Sequence, residues 1–441
     1  MDTGPQKKQE PKETDEAESL TNRRRHNMKF ETMRVSESIN EDFLTATYYM
    51  KSEKEPDLYE WVKLVAADQS AGTWTHVEGE TPEVIENYGG KVIGIYPMAE
   101  ERACIARIAF PIANFPAYLP MILSTVAGNV LGQDGIKLVD IDFPEKILKE
   151  IPGPLMGIDG IRKRIGVAER PLVGAILKPC IGVPPEVSAK GARQAALGGA
   201  DVIKDDELLS YPEYSPMEKR TAAVMEQLKD IGKEKTCLYA VNITGENLLE
   251  RAKRAIDAGA NALMVNYQAM GWGAVEDFVR GMKKENLIYP IFGHCAGMGA
   301  YYRSKTNGIS TAPACGKLAR LAGMDMPLVY PDSGRFGLST NEFVETHAQC
   351  IAPMKNIKRA FMTVAGGVQP GAIEYLMDLL GNDCILMAGG GIYGHPMGAC
   401  AGAKAILHAI EAKMEGKTIL EAAKDCKELK AAIDVWGTKG H

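Results

Sequence analysis

No apolar run in this chain approaches the ~20 residues a membrane-spanning helix needs, and the first residues hold no apolar signal-peptide core. None of the nine cysteines stands in a CxxC pair; they are scattered from Cys104 to Cys426. That excludes a zinc ribbon or a disulfide framework and suits buried thiols in a reducing compartment. Nor does any basic stripe offset the formal net charge of -6, so nucleic acid is not the expected main partner. The one basic cluster, Arg23 to His26, reads as part of a solvated tail. The expectation is a soluble cytoplasmic protein with no membrane and no nucleic acid among its partners.

What the chain does have is material for two domains. Its 441 residues exceed the usual size of one, and 45% hydrophobic with 24% charged residues is ordinary for a globular fold. Residues 1–30 carry almost nothing to bury and read as a disordered tail. Over residues 31–152 short β-rich runs predominate: Phe43 to Met50, Gly72 to Val77, Lys91 to Tyr96 and Ala103 to Phe110. Helical spacing of apolar residues marks Asp57 to Ala67. Without regular crossovers between the strands, this reads as an antiparallel α+β (ferredoxin-like) domain ending near Pro152.

Residues 153–441 follow another rhythm. Eight β-rich runs appear in order: Leu172 to Leu177, Asp201 to Lys204, Leu238 to Ile243, Ala262 to Asn266, Ile288 to Gly293, Pro327 to Tyr330, Ala360 to Ala365 and Cys384 to Ala388. A helical segment follows each, as in Glu186 to Leu197 and Pro216 to Ile231. Eight such units occupy about 250 residues, the usual length of a (β/α)8 TIM barrel. A doubly wound open sheet stands as the alternative, because periodicity does not report closure. The expected fold is α/β, a C-terminal barrel with a helical end behind the α+β domain.

Barrel chemistry sits where strands end. The second run ends Lys204-Asp205-Asp206-Glu207, and strand alternation puts Lys204 and Asp206 on one face. Burying such charges without a use is costly, whereas carboxylates are the hard ligands Mg2+ takes. A buried lysine with a depressed pKa can react with CO2, and its carbamate would add a third oxygen ligand. Lys178 ends the first run as a candidate proton carrier, its plainer role being an ion pair with the acidic cluster. His294 ends the fifth, as a candidate acid, base or substrate contact. Glycines end the seventh and eighth runs, Gly366-Gly367 and Gly389-Gly390-Gly391, where TIM barrels place a phosphate against backbone N–H groups.

The order of these pieces resembles the RuBisCO large-subunit family, over roughly Asp42 to Gly437. Gly199-Ala200-Asp201-Val202-Ile203-Lys204-Asp205-Asp206-Glu207 is similar to that family's metal motif. The resemblance implies a Mg2+ ion held by Asp206, Glu207 and Lys204 carbamylated by CO2. It implies that Lys178 handles protons on an enediolate and that His294 is the strand-five histidine. Thr73 and Trp74 resemble the phosphate contact of the N-terminal domain. Asp68 and Asn129 match an acidic and a substrate-binding position, and Ala388 to Pro396 resembles the strand-eight phosphate loop. It also implies a homodimer, or a multiple of dimers, in which one subunit's N-terminal domain completes the other's barrel mouth.

The departures point away from carboxylation, toward a RuBisCO-like protein (form IV). The family's second strand-one lysine is Cys180 here, and the arginine after the strand-five histidine is Cys295. The histidine that follows is replaced around Gly297-Met298, and the strand-seven serine is Ala365. Strand six lacks its histidine and its loop lacks a lysine, for which Arg335 is the candidate substitute. Several lost charged contacts, at ~1.5–3 kcal/mol each, make a bisphosphate a poor ligand. What survives suffices to enolise a singly phosphorylated, sugar-like ketone by tautomerisation, isomerisation or decarboxylation. The methionine-salvage enolases of the family carry a lysine base where Asn129 stands, which argues for a different substrate. A true carboxylase and a non-catalytic phosphometabolite-binding protein are the competing readings.

Overall fold

The structure, a computed structural model, describes residues 41–52, 57–100, 102–332 and 337–438. The tail 1–30 and Arg335 lie outside the described residues. Among those residues no helix is long and apolar enough to cross a membrane.

The chain opens with β1 (Phe43–Lys51), whose inward residues Leu44, Ala46, Tyr48 and Met50 are fully buried. The helix Leu58–Asp68 follows, started by the Asp57 carboxylate accepting the N–H groups of Tyr59 and Glu60, and it buries Trp61, Val62, Val65 and Ala66. Then come β2 (Lys91–Pro97), β3 (Ala103–Pro111), the helix Leu119–Val126 and β4 (Ile136–Asp142). Antiparallel pairing in the order β4-β1-β3-β2 gives the expected ferredoxin-like arrangement.

Two details differ from the sequence reading. Gly72 to Val77 forms no strand: Thr73 to Val77 are exposed and the segment joins no sheet. Its β-rich composition finds no partner edge, and composition alone does not hold an extended chain. Ile136–Asp142, not anticipated, supplies the fourth strand.

Eight parallel strands then close into a barrel: β5 (Leu172–Ile176), β6 (Val202–Lys204), β7 (Leu238–Asn242), β8 (Ala262–Asn266), β9 (Ile291–His294) and, after a two-residue β10 (Gly308–Ile309), β11 (Met326–Val329), β12 (Met362–Ala365) and β13 (Cys384–Ala388). Pairing of β13 with β5 and of β9 with β11 completes the ring. Closure is what periodicity left open. Nearly every strand residue is buried, as expected for strands with packed side chains on both faces.

β10 does not belong to the barrel. It lies in the loop after β9 and pairs in parallel with β4, so the N-terminal sheet is mixed. Lys137 of β4 reinforces this by donating to the carbonyls of Tyr302 (3.1 Å) and Ser304 (2.6 Å) in the same loop. The mouth of the barrel is thereby fastened to the first domain.

At the opposite rim, Asp201, Asn261 and Asp325 precede β6, β8 and β11. Each accepts a backbone N–H from the strand before it, from Val173, Tyr239 and Ile291 at 2.7–2.8 Å. Asp325 accepts two more, from Met156 (2.7 Å) and Gly157 (2.6 Å), where the chain enters the barrel. This face is built for stability, which leaves the other for chemistry.

Candidate active site

Five side chains converge where the strands end. The β6 ladder reaches Lys204, which pairs with Ile176 on one side and Ala240 on the other. Alternation then sends Lys204 inward and Asp205 outward. Lys204 is fully buried, with its Nζ 5.8 Å from the centre of the Phe292 ring across the barrel. Asp205 points into the wall, where Arg220, also fully buried, grips it at 3.0–3.2 Å and the Tyr239 hydroxyl donates to it at 2.5 Å. It is therefore a structural ion pair inside the metal motif. Asp206 faces the mouth again.

The mouth carries two adjoining sets of charges. Lys178 Nζ donates to Asp206 Oδ2 at 2.8 Å and to Cys180 Sγ at 2.9 Å. Lys204 Nζ donates to the Asp205 carbonyl at 2.8 Å and lies 3.3 Å from Glu207 Oε2. His294 Nε2 meets that same Glu207 oxygen at 3.2 Å. The ring's Nδ1 accepts the Ala296 N–H at 3.1 Å, so its proton sits on Nε2 and is donated to Glu207. The sequence singled out Lys178, Lys204, Asp206, Glu207 and His294, and the fold brings all five together.

Burial sets the protonation states. Desolvation lowers the Lys204 pKa, more than the nearby carboxylates Glu207 and Asp206 raise it. His294 is held below its usual range by burial and by the Lys204 charge, and so is neutral. Burial would raise Glu207, but the His294 hydrogen bond and Lys204 prevail and keep it ionised. Lys178 goes the other way: burial opposes its charge, yet Asp206 and Cys180 hold it cationic above the usual lysine value.

The glycine ends lie beside this cluster. Gly366 and Gly367 take positive φ (112° and 92°), a conformation side chains disfavour. Gly389 closes β13 and begins the short helix Gly390–Tyr393. A Cβ on Gly389 would stand 2.9 Å from Lys178 Cε, and one on Gly391 would stand 2.5 Å from the Val368 carbonyl oxygen. The two glycine loops therefore touch each other and Lys178, while space is open at Gly367 and Gly390. A cavity of about 300 Å3 lies alongside, between Gly367, Val368, Leu376 and Trp436.

Asp68, Thr73, Trp74 and Asn129 are not in this cluster. All four are exposed on the N-terminal domain, Trp74 by 82%, and among the described residues no hydrogen bond joins them to the mouth. Asn242 and Asn266, at the ends of β7 and β8, escaped the sequence reading although both sit at strand ends; they touch the cluster's backbone.

The donor set can be tested against the metal the sequence suggests. Asp206 and Glu207 offer the hard carboxylate oxygens Mg2+ prefers. Among the described residues no three His, Cys, Asp or Glu side chains gather to hold an ion unaided. A third oxygen from a Lys204 carbamate fits that shortfall, since Lys204 lies within 3.3 Å of Glu207 and its lowered pKa favours the neutral, reactive amine.

Residues 157–329 and 345–436 match the family described as ribulose bisphosphate carboxylase large chain, catalytic domain, and residues 34–147 its N-terminal domain. A ribulose bisphosphate carboxylase-like protein of Archaeoglobus fulgidus is 40% identical over 86% of this chain and 90% of its own. A 2,3-diketo-5-methylthiopentyl-1-phosphate enolase of Geobacillus thermodenitrificans is 35% identical over 89% and 97%. The octameric ribulose-1,5-bisphosphate carboxylase/oxygenase of Pyrococcus horikoshii superposes with a TM-score of 0.83 at 30% identity, covering 91% of this chain and 95% of that one.

Proposed function

The chain belongs to the ribulose bisphosphate carboxylase large-chain family, and from that premise we propose that it is an enolase-type RuBisCO-like enzyme acting on a phosphorylated ketone. The observation that carries the reading is the mouth cluster itself. A cationic lysine paired with one carboxylate (Lys178–Asp206, 2.8 Å) stands beside a buried lysine of lowered pKa and a neutral histidine that share a second (Lys204–Glu207–His294, 3.2–3.3 Å), next to two glycine loops. The name borne by the Geobacillus relative, an enolase of a phosphorylated diketone, supports the same chemistry.

Asp206, Glu207 and the Lys204 carbamate are the proposed holders of Mg2+. When bound, the ion would act as a Lewis acid on the substrate carbonyl, lowering the cost of charge on the enolate oxygen. Lys204, as its carbamate, would supply the base for the proton on the carbon beside that carbonyl. Lys178, kept cationic by Asp206, delivers a proton to the enolate. His294 presents its Nε2–H at the mouth and steadies Glu207. Gly366, Gly367, Gly389 and Gly390 receive one phosphate on their N–H groups. Cys180, where carboxylases carry a second lysine, removes one cation from the binding of a second phosphate.

The decisive experiment follows C–H exchange by NMR in D2O with Mg2+ and bicarbonate. Its panel holds singly phosphorylated ketones, the diketone phosphate named for the Geobacillus relative, and ribulose bisphosphate. Exchange on a monophosphate, lost in Lys204→Ala, is expected. Exchange that persists in both Lys204→Ala and Lys178→Ala rules out this assignment of the proton carriers, and phosphoglycerate formed from the bisphosphate overturns the enolase reading. Asn129 decides within the panel, because the methionine-salvage enolases carry a lysine there.

A further inference from the structure

Asp206 and Glu207 follow the end of β6 and His294 ends β9, with two strands between them, yet one run of hydrogen bonds joins the backbone of all three. Asn242, fully buried at the end of β7, donates its amide to the carbonyls of Asp206 (3.3 Å) and Glu207 (3.1 Å). Its own carbonyl oxygen accepts the Thr244 N–H at 3.0 Å. The Thr244 hydroxyl then accepts the Asn266 N–H at 2.9 Å. Asn266 ends β8, and with its amide nitrogen turned toward the neighbouring carbonyls it donates to Ala296 (3.2 Å) and His294 (3.3 Å). The Ala296 N–H is the group that fixes the His294 tautomer.

We propose that Asn242, Thr244 and Asn266 are positioning residues that lock the Asp206–Glu207 backbone and His294 into one hydrogen-bonded unit across β6 to β9. None of the three needs to touch substrate. Asn242 satisfies the carbonyls of Asp206 and Glu207, which have left the sheet ladder, and Thr244 and Asn266 carry the connection across β8 to the end of β9, so the approach of Glu207 to His294 is set from behind. Outer partners of this kind orient ligands as effectively as the ligands' own rotamers. The inference rests on the metal reading above, and its test separates the two.

The full-length protein, with bicarbonate, is titrated with Mn2+ and followed by EPR, and the His294 ring nitrogens are read by 15N NMR. Asn242→Ala is expected to weaken Mn2+ about 10- to 100-fold. Thr244→Val keeps the side-chain volume but loses the acceptor; it should shift His294 away from its Nε2-protonated signature, and Thr244→Ser should restore it. Wild-type Mn2+ affinity in Asn242→Ala, or an unchanged His294 signature in Thr244→Val, overturns the proposal. If Asn242→Ala does not fold, Thr244→Val and Thr244→Ser carry the test alone. Should the wild type bind no Mn2+ that Glu207→Ala abolishes, the metal reading fails, while the His294 signature still decides whether the unit exists.

Discussion

At the scale of single residues the site depends on side chains whose neighbours leave them little choice. Lys204 is fully buried, and desolvation lowers its pKa despite the neighbouring Glu207 and Asp206, which suits a lysine used in its neutral form. Lys204→Ala should abolish metal-dependent C–H exchange and also lower Mg2+ affinity, a pairing that loss of a mere base would not give; calorimetry beside the exchange assay reads both. Gly389 makes the opposite demand. Its φ of -99° is open to any residue, but a methyl there meets Lys178 Cε at 2.9 Å. Gly389→Ala should therefore fold like the parent, with an unchanged melting temperature, yet lose about 10- to 100-fold in kcat as Lys178 is pushed aside. An unchanged kcat would mean that the lysine reaches its proton by another path.

At the scale of elements, the rim opposite the site carries the stability. Asp325 accepts three backbone N–H groups from the chain entering the barrel and from β9. Asp325→Ala leaves three donors unpaired, the N–H groups of Gly157 and Ile291 buried among them, and should cost on the order of 3 kcal/mol. Burial, opposed by those N–H groups, raises this carboxyl to about 6. Its folded value thus exceeds the unfolded one near ~3.9, and the fold binds the extra proton between them. Stability from this group is fully present below about pH 4 and falls as pH rises through about 6. Urea titrations should therefore show a larger gap between parent and Asp325→Ala at pH 4.5 than at pH 7. The barrel strands were legible because both of their faces are buried: Ala262–Asn266 and Cys384–Ala388 end where the composition changes. Lys204, Asp206, Glu207, His294 and the glycine pairs were read from those ends, and the fold gathers them at one mouth. Asn242 and Asn266 stood at such ends too, but their bonds go to backbone carbonyls, which side-chain pattern does not encode. Gly72 to Val77 misled for a related reason, since a strand needs an edge to pair with and an edge is a property of the fold.

At the scale of the whole molecule, the site is proposed to be completed by a second copy of the chain. The mouth cluster and glycine loops face out of the barrel, while Thr73, Trp74 and Asn129, the resemblance's substrate contacts, stand exposed on a domain held to the same barrel by β10 and Lys137. Those exposed contacts are proposed to serve a second copy. Ile181, Leu208, Tyr211 and Tyr214, exposed on the first two loops of the mouth, offer an apolar rim for that copy to cover. Each such dimer would hold two composite sites. Trp74→Ala and Lys204→Ala, each inactive alone, should complement when mixed under conditions of subunit exchange. Half the dimers are mixed, and each holds one site with both halves intact, so roughly a quarter of parental activity should return. The measurement is the exchange assay on the mixture, with subunit exchange verified by mass-tagged chains. Verified exchange without recovered activity would place Trp74 and Lys204 in the same chain's site and require the N-terminal domain to act on its own barrel.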